Sequence, residues 1–408
     1  MHIGTFIARR LSGRHQRSLS GLVVRLSLLA TVFSVSVMIL TLAFVSGFQD
    51  AIAKKIFNFS GHIRVQQHPP QSSDLSDESP SVANDSIRQM IRHVKHVQRV
   101  DAYINKTCLM RSASSMEGIM LKGVEKDFVK HRFASYLIRG QGLSFDTARP
   151  SVLISSHTAR SLGLDTGQQV FLYFMNERSE QPRVRKVRIA GIYKTAIEEY
   201  DRNFAVTEID FLQKMQLWER TVVSGYEVSI DDHVHDAATV NSILDNIPVD
   251  WYATSVREIY PNIFDWLNLQ DTNRGLIIGI MCLVAIINLV SCLLILVLER
   301  RRMIGVLKAF GASDLQVQDI FWRQGMLIAL KGIFWGNVAG LFLCWLQSSF
   351  GIIRLDEAAY YIREAPVKVI GWHVMAVNAG TMLICVVILL IPSLLVRKIH
   401  PVQALRFN

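Results

Sequence analysis

Residues Glu299–Ser313 read ERRRMIGVLKAFGAS. Immediately before them lie 24 residues, Gly275–Leu298, without a single charge, and a second apolar run begins shortly after. Arg300, Arg301, Arg302 and Lys308 are basic, while Ile304, Val306, Leu307 and Phe310 are interleaved with them. A segment with one wet and one greasy side, placed between two apolar runs, predicts a short amphipathic helix lying on a membrane face. Two roles remain open at this point. The basic residues could simply anchor the loop and fix topology, or the helix could dock a partner.

The apolar runs set the architecture. The chain has 408 residues, half of them hydrophobic, and a mean hydropathy of +0.25, which predicts a membrane part joined to a water-facing part. Four runs suffice to cross roughly 30 Å of hydrocarbon: Leu26–Val45, Gly275–Leu298, Met326–Phe350 with only Lys331 charged, and Trp372–Val396. Residues 1–25 carry five Arg and no acid; 299–324 carry five basic and three acidic residues; 396–408 carry three basic residues and none acidic. These three segments hold the whole net charge of +10. Basic residues favour the cytoplasm, so both termini and the 299–324 loop are expected inside. The basic balance therefore reports topology, and no nucleic-acid motif accompanies it.

The expected organisation is a cytoplasmic segment (1–25), transmembrane helix 1 and stalk (26–56), an extracytoplasmic domain (57–255), and stalk with transmembrane helix 2 (256–298). A cytoplasmic loop (299–324), transmembrane helix 3 (325–350), a short extracytoplasmic loop (351–371), transmembrane helix 4 (372–396) and a cytoplasmic tail (397–408) follow. The predicted fold class is an α-helical membrane protein with four transmembrane helices plus a large α+β extracytoplasmic domain. The first run is too long for a signal peptide and no A-x-A site follows, so it reads as an uncleaved anchor. Cys282, Cys292, Cys344 and Cys385 fall within spans and Cys108 stands alone outside, so there is no disulfide framework.

In the outside domain, strands are predicted at 62–67, 100–104, 116–123, 151–154, 169–174, 183–191, 204–207 and 226–230. Helices are predicted at 86–94, 157–162, 209–217, 237–246 and 256–268, and a loop at 69–84. Phe44, Phe48, Ile52 and Ile56 recur every four residues from the end of the first run onward, and Tyr260, Ile263, Phe264 and Leu267, led by Val256, mirror them before the second. Such stripes pack helices together, or they form a greasy mouth for a lipidic ligand. Gly332, Gly336 and Gly340 make a smooth helix face for close packing. Lys331 is expected to snorkel, and Asn288 and Ser291 to bond between helices.

The chain contains no G-x-x-x-x-G-K-[ST], G-x-S-x-G or H-E-x-x-H. No catalytic, cofactor-binding or metal-binding residue is assigned, and the chain is not read as an enzyme. His93 with His96, and the Asp231–Asp236 cluster with its histidines, read as solvated polar patches rather than a metal site. Glu198 and Glu199 have no positioned partner in the sequence.

Several stretches together resemble the MacB/FtsX-type ABC transporter permeases, and within them the lipoprotein-releasing (LolC/LolE-like) branch. They are FIARRL (6–11), SGFQDAIAKKI (46–56), SVLISSHTARSLGLDTGQQVFLYF (151–174), GIYKTAIEEYDRNFAV (191–206), ERRRMIGVLKAFGAS (299–313) and HPVQALR (400–406). The resemblance implies that Glu299, Arg300, Arg301, Arg302, Gly305, Leu307, Lys308, Ala309 and Gly311 form a coupling helix for a cytoplasmic ABC ATPase dimer. Met303 stands where the family often has an acid. ATP and Mg would be bound by that partner and no cofactor by this chain. The family relays ATP-driven motion along stalks to the outside domains, which implies mechanotransmission for lipoprotein release. A second permease copy, in a homodimer or heterodimer, a periplasmic lipoprotein carrier and membrane lipids are the implied partners. The turn 175–182, where some relatives hold the carrier, is short. A MacB-type efflux permease and an FtsX-like regulator of a cell-wall hydrolase are the alternative implications.

Overall fold

The computed structural model describes residues 19–67, 81–82, 85–113, 115–145, 149–176, 179–216, 221–231 and 236–397. The motifs at 6–11 and 400–406, His233, His235 and most of the predicted 69–84 loop lie outside them. Helices are α1 (Leu19–Ser60), α2 (Asp85–Arg92), α3 (Ser156–Leu162), α4 (Glu198–Asn203), α5 (Ile209–Gln216), α6 (Asp236–Leu244), α7 (Pro261–Glu299), α8 (Arg301–Ala309), α9 (Asp314–Phe350) and α10 (Gly371–Arg397). Single helical turns cover Val256–Ile259 and Glu357–Tyr360. Strands are β1 (Ile63–Gln66), β2 (Ser81–Val82), β3 (Val97–Arg111), β4 (Met116–Val124), β5 (Leu137–Gly140), β6 (Ser151–Ser155), β7 (Gln169–Asn176), β8 (Ser179–Tyr193), β9 (Phe204–Glu208), β10 (Val222–Val223), β11 (Gly225–Ile230) and β12 (Tyr252–Ser255). The chain forms two compact units. One comprises 1–50, 266–354 and 364–408, and the other 51–265 with 355–363.

The second unit is built on a mixed ten-stranded sheet in the order β12-β1-β11-β3-β4-β9-β6-β8-β5, with β7 paired to β3 and β8. Strand β4 runs parallel to β9, and β6 to β8. Every residue of β1, β6 and β9 is buried, as expected of strands covered on both faces. The SVLISSHTARSLGL motif supplies β6 and α3. Ser155 caps the helix by accepting from the Thr158 N–H, and Gly163 ends it at φ +64. Strand β3 is far longer than the predicted 100–104 segment. The predicted 175–182 turn is mostly strand, because β7 and β8 continue until Asn176 pairs with Ser179.

The first unit holds the apolar helices. Among the described residues three are long and apolar enough to cross a membrane, Val24–Ser60, Pro261–Glu299 and Asp314–Phe350, with a shorter apolar stretch at Gly371–Val387. Gly332, Gly336 and Gly340 of α9 face α1. A Cβ at Gly332 would meet Thr31 at 2.6 Å, and one at Gly336 would meet Val35 at 2.7 Å and the Val32 carbonyl at 3.1 Å. Asn288 bonds Ser27 across to α1, and Asn337 bonds Asn378 of α10.

Two boundaries differ from the sequence reading. The predicted 256–268 helix is broken at Tyr260, whose φ −116 and ψ 59 lie off the helical region. Pro261 excludes α geometry at the residue before it and suits the first position of the new helix. The 299–324 segment is not one loop, because α9 already begins at Asp314. There Ser313 and Gln316 form a reciprocal capping box, which satisfies two of the free N–H groups at the helix start.

Candidate functional site

The 299–313 stretch folds as α8 and the short link Phe310–Ser313 to α9. Ile304 is fully buried and clusters with Val297, Val317 and Phe321, with Met303, Leu307 and Ala312 packed around them. Positions 303, 304 and 307 share one helical face, so that face is occupied by α7 and α9. Gly305 is buried, Leu307 half-buried, and Ala309 and Gly311 exposed. Lys308 forms a 2.8 Å ion pair with Asp314 and thereby closes the link onto α9. The side chains of Arg301 and Arg302 lie outside the described set. Glu299 is exposed and Arg300 half-buried, and three residues outside the set picked out by resemblance are exposed as well. Phe310 is 88% exposed, with Val306 and Leu315 beside it in sequence and exposed as well. Gly311 at φ +89 turns the chain directly after Phe310. The sequence carried one signal for this residue, an aromatic immediately before a helix-ending glycine.

The eight stalk residues are mostly covered. Ile52, Ile56, Tyr260, Ile263, Phe264 and Leu267 are all buried, and only Phe44 and Phe48 are half-exposed. Phe57 stacks on Phe264 with ring centroids 5.9 Å apart, and Phe48 meets Trp266 edge-on at 5.5 Å. Six of these positions are therefore covered by packing, and Phe44 and Phe48 are partly open. Every-fourth-residue spacing cannot distinguish a face that covers a neighbour from one that receives a ligand.

Inside the sheet domain lies a charged cluster with no counterpart in the sequence reading. Lys122, on β4, is buried. Its ammonium donates to the Phe59 carbonyl in the last turn of α1 and to Glu227 Oε1 at 2.5 Å. It also faces the rings of Phe59 at 4.6 Å and Phe128 at 5.0 Å. Arg132 pairs with Asp101 at 3.0 Å and reaches Glu227 at 3.5 Å. A cation at a helix C-terminus meets the negative end of the helix dipole. Burial lowers the Lys122 pKa to about 8 against the opposing pull of Glu227. Burial likewise raises Asp101 despite Arg132.

The IEEYD part of the 191–206 motif closes over the same helix end. Tyr200 is fully buried, stacks on Phe59 at 4.2 Å and shares a 3.0 Å hydrogen bond with Ser60 Oγ. The Asp201 carboxylate accepts from Thr195 N–H and Oγ1 at 2.8 Å each and from Ala196 N–H at 2.9 Å. These bonds hold Ala196 at φ +65. His96 contacts Asp231 at 3.1 Å. Among the described residues no group of three or more metal-ligating side chains comes together.

A β-domain strung between the first and second of several apolar helices, with an amphipathic helix between the second and third, defines a multi-pass membrane protein with a large extramembranous domain. The chain belongs to the family of the MacB-like periplasmic core domain, whose model matches residues 26–245, and residues 275–401 match the FtsX-like permease C-terminal domain. Among curated proteins it is similar to the lipoprotein-releasing system transmembrane protein LolC of Xylella fastidiosa (strain Temecula1), 24% identical over 98% of this chain and 97% of the relative. LolE of Haemophilus influenzae is 20% identical over 99% of each chain. The crystal structure of the periplasmic region of MacB from Actinobacillus actinomycetemcomitans covers 49% of this chain and 91% of its own, with 12% identity and a TM-score of 0.35.

Proposed function

We propose that this chain is the permease subunit of an ABC transporter that drives release of lipoproteins from the inner membrane toward the outer membrane. Whole-length similarity to lipoprotein-releasing system proteins supports the cargo class. The chain crosses the membrane four times, α10 being the fourth span, with both termini cytoplasmic. It hydrolyses nothing itself; ATP and Mg bind in a partner ATPase dimer, and a second permease copy completes the pair. The observation that carries the coupling is the geometry of α8. Its inner face is taken up by α7 and α9, and Phe310 stands almost bare at its end. An exposed aromatic on a short helix fits a groove on a cytoplasmic partner.

Two experiments test this reading. Depletion of the protein should leave lipoproteins in the inner membrane, and normal sorting would overturn the cargo assignment. Phe310→Asp should abolish co-purification of the ATPase from mild detergent, because burying a Phe contributes about 1.5–3 kcal/mol. An intact complex would refute docking through this residue.

A further inference from the structure

The segment 355–363, which joins α9 to α10, belongs to the compact unit of the sheet domain. None of its described side chains is fully buried, although Leu355, Tyr361 and Ile362 are half-buried. Polar contacts add to this packing. Lys194 Nζ donates to Glu357 Oε2 at 2.5 Å, and Arg363 Nε donates to the same oxygen at 2.8 Å. Lys55 Nζ, on α1, donates to the Thr195 carbonyl at 2.8 Å and to the Tyr361 carbonyl at 2.7 Å. Burial would raise the Glu357 pKa, but the hydrogen bonds from Lys194 and Arg363 bring it below the usual carboxylate value.

Two strained backbone positions flank these contacts. Ala196 has φ +65 and Tyr361 has φ +60. Non-glycine residues persist in the left-handed region only where their surroundings over-determine them. Here Asp201 fixes the first and the Lys55 contact grips the second. Three distant stretches of sequence thus meet through ionic and carbonyl contacts. Ionic and carbonyl contacts near the surface exchange for contacts with water at little cost, so they suit a joint that engages and releases.

We propose that Glu357 is a positioning residue of the release step. By holding 355–363 on the Lys194–Asp201 turn, it makes this segment a strap through which displacement of α9 and α10 is passed to the sheet domain. This rests on the transporter reading above.

The test uses the full chain in its complex with the partner ATPase and second permease, reconstituted in lipid vesicles. Lys194→Gln, Glu357→Gln, the double variant and Lys194→Arg are compared. ATP hydrolysis should continue in all four. Release of a lipidated acceptor per ATP should fall roughly tenfold in each Gln variant, within the usual range of coupling between sites. The double variant should be no worse than either single one, and Lys194→Arg should behave as wild type. Unchanged release per ATP in both Gln variants, multiplicative losses in the double variant, or a defective Lys194→Arg would overturn the strap. If wild type itself releases no lipoprotein, the cargo reading fails and hydrogen exchange decides the strap. Protection of 355–363 should then change between nucleotide-free and ATP-bound wild type and not in Glu357→Gln. An identical response in the two proteins would overturn it.

Discussion

Replacing Lys122 by Met removes one charge from a buried cluster and leaves its partner behind. Lys122 and Glu227 are each 1% exposed and 2.5 Å apart. Stranding one member of a buried pair costs about 3–5 kcal/mol. Arg132 remains 3.5 Å from Glu227 and compensates in part, so the low end, about 3 kcal/mol, is expected. For a domain of this size each kcal/mol moves Tm by about 2–4 °C, which predicts a fall of about 6–12 °C. Thermal unfolding of the full chain in detergent, followed by fluorescence, is the assay. Trp251 is a suitable reporter, being buried and stacked on Tyr226 at 5.9 Å. The Lys122→Met/Glu227→Leu double variant should recover most of the loss, since a hydrophobic replacement of a buried pair is often close to neutral. The lysine pKa falls from 10.5 unfolded to about 8 folded. Between those values the unfolded chain binds more protons, so wild-type stability gains up to about 1.4 kcal/mol per pH unit across that window. Below about pH 8 this gain is absent, and Lys122→Met should lack it throughout. A Tm shift of less than about 3 °C, or a double variant as unstable as the single one, would refute the reasoning.

Other substitutions read out separate joints. Gly336→Leu should disrupt packing of α9 on α1, because even a Cβ there lies 2.7 Å from Val35. The expected cost of overpacking is about 1–3 kcal/mol or more, seen as protease sensitivity in detergent. Gly380→Ala is the control, as nothing lies within 4 Å of its Cβ position, and it should be silent. Asp201→Ala should free the Thr195 and Ala196 amides, raising their hydrogen exchange, at a cost of about 1.5–3 kcal/mol for lost bonds to a charged acceptor.

Much of the plan of this protein is written locally. Uncharged runs, the basic bias of particular segments and the glycine spacing at 332, 336 and 340 act through the bilayer and through helix geometry, which need only nearby residues. The Ser155 cap and the Gly163 stop are equally local, as is the ERRRMIGVLKAFGAS amphipathic pattern. The boundary at Tyr260 was legible too, since Pro261 forbids a continuous helix, although the apolar stripe obscured it. The sequence pattern did not say that α9 is the helix whose glycines meet Thr31 and Val35.

Tertiary structure alone decided the rest. Lys122 belongs to β4, Phe59 to the end of α1, and Glu227 to β11; no spacing rule joins positions so far apart in the chain, and only the sheet order brings them together. The same holds for Lys55, Lys194 and Glu357. Burial of six of the eight stalk positions is likewise a tertiary fact, because periodicity gives the direction in which a side chain points and not what covers it. Residues 299–313 show both limits. Their amphipathic character follows from the order of amino acids. Which apolar groups pack inward, and that Phe310 is left outside, follow only from the neighbouring helices that claim the other face.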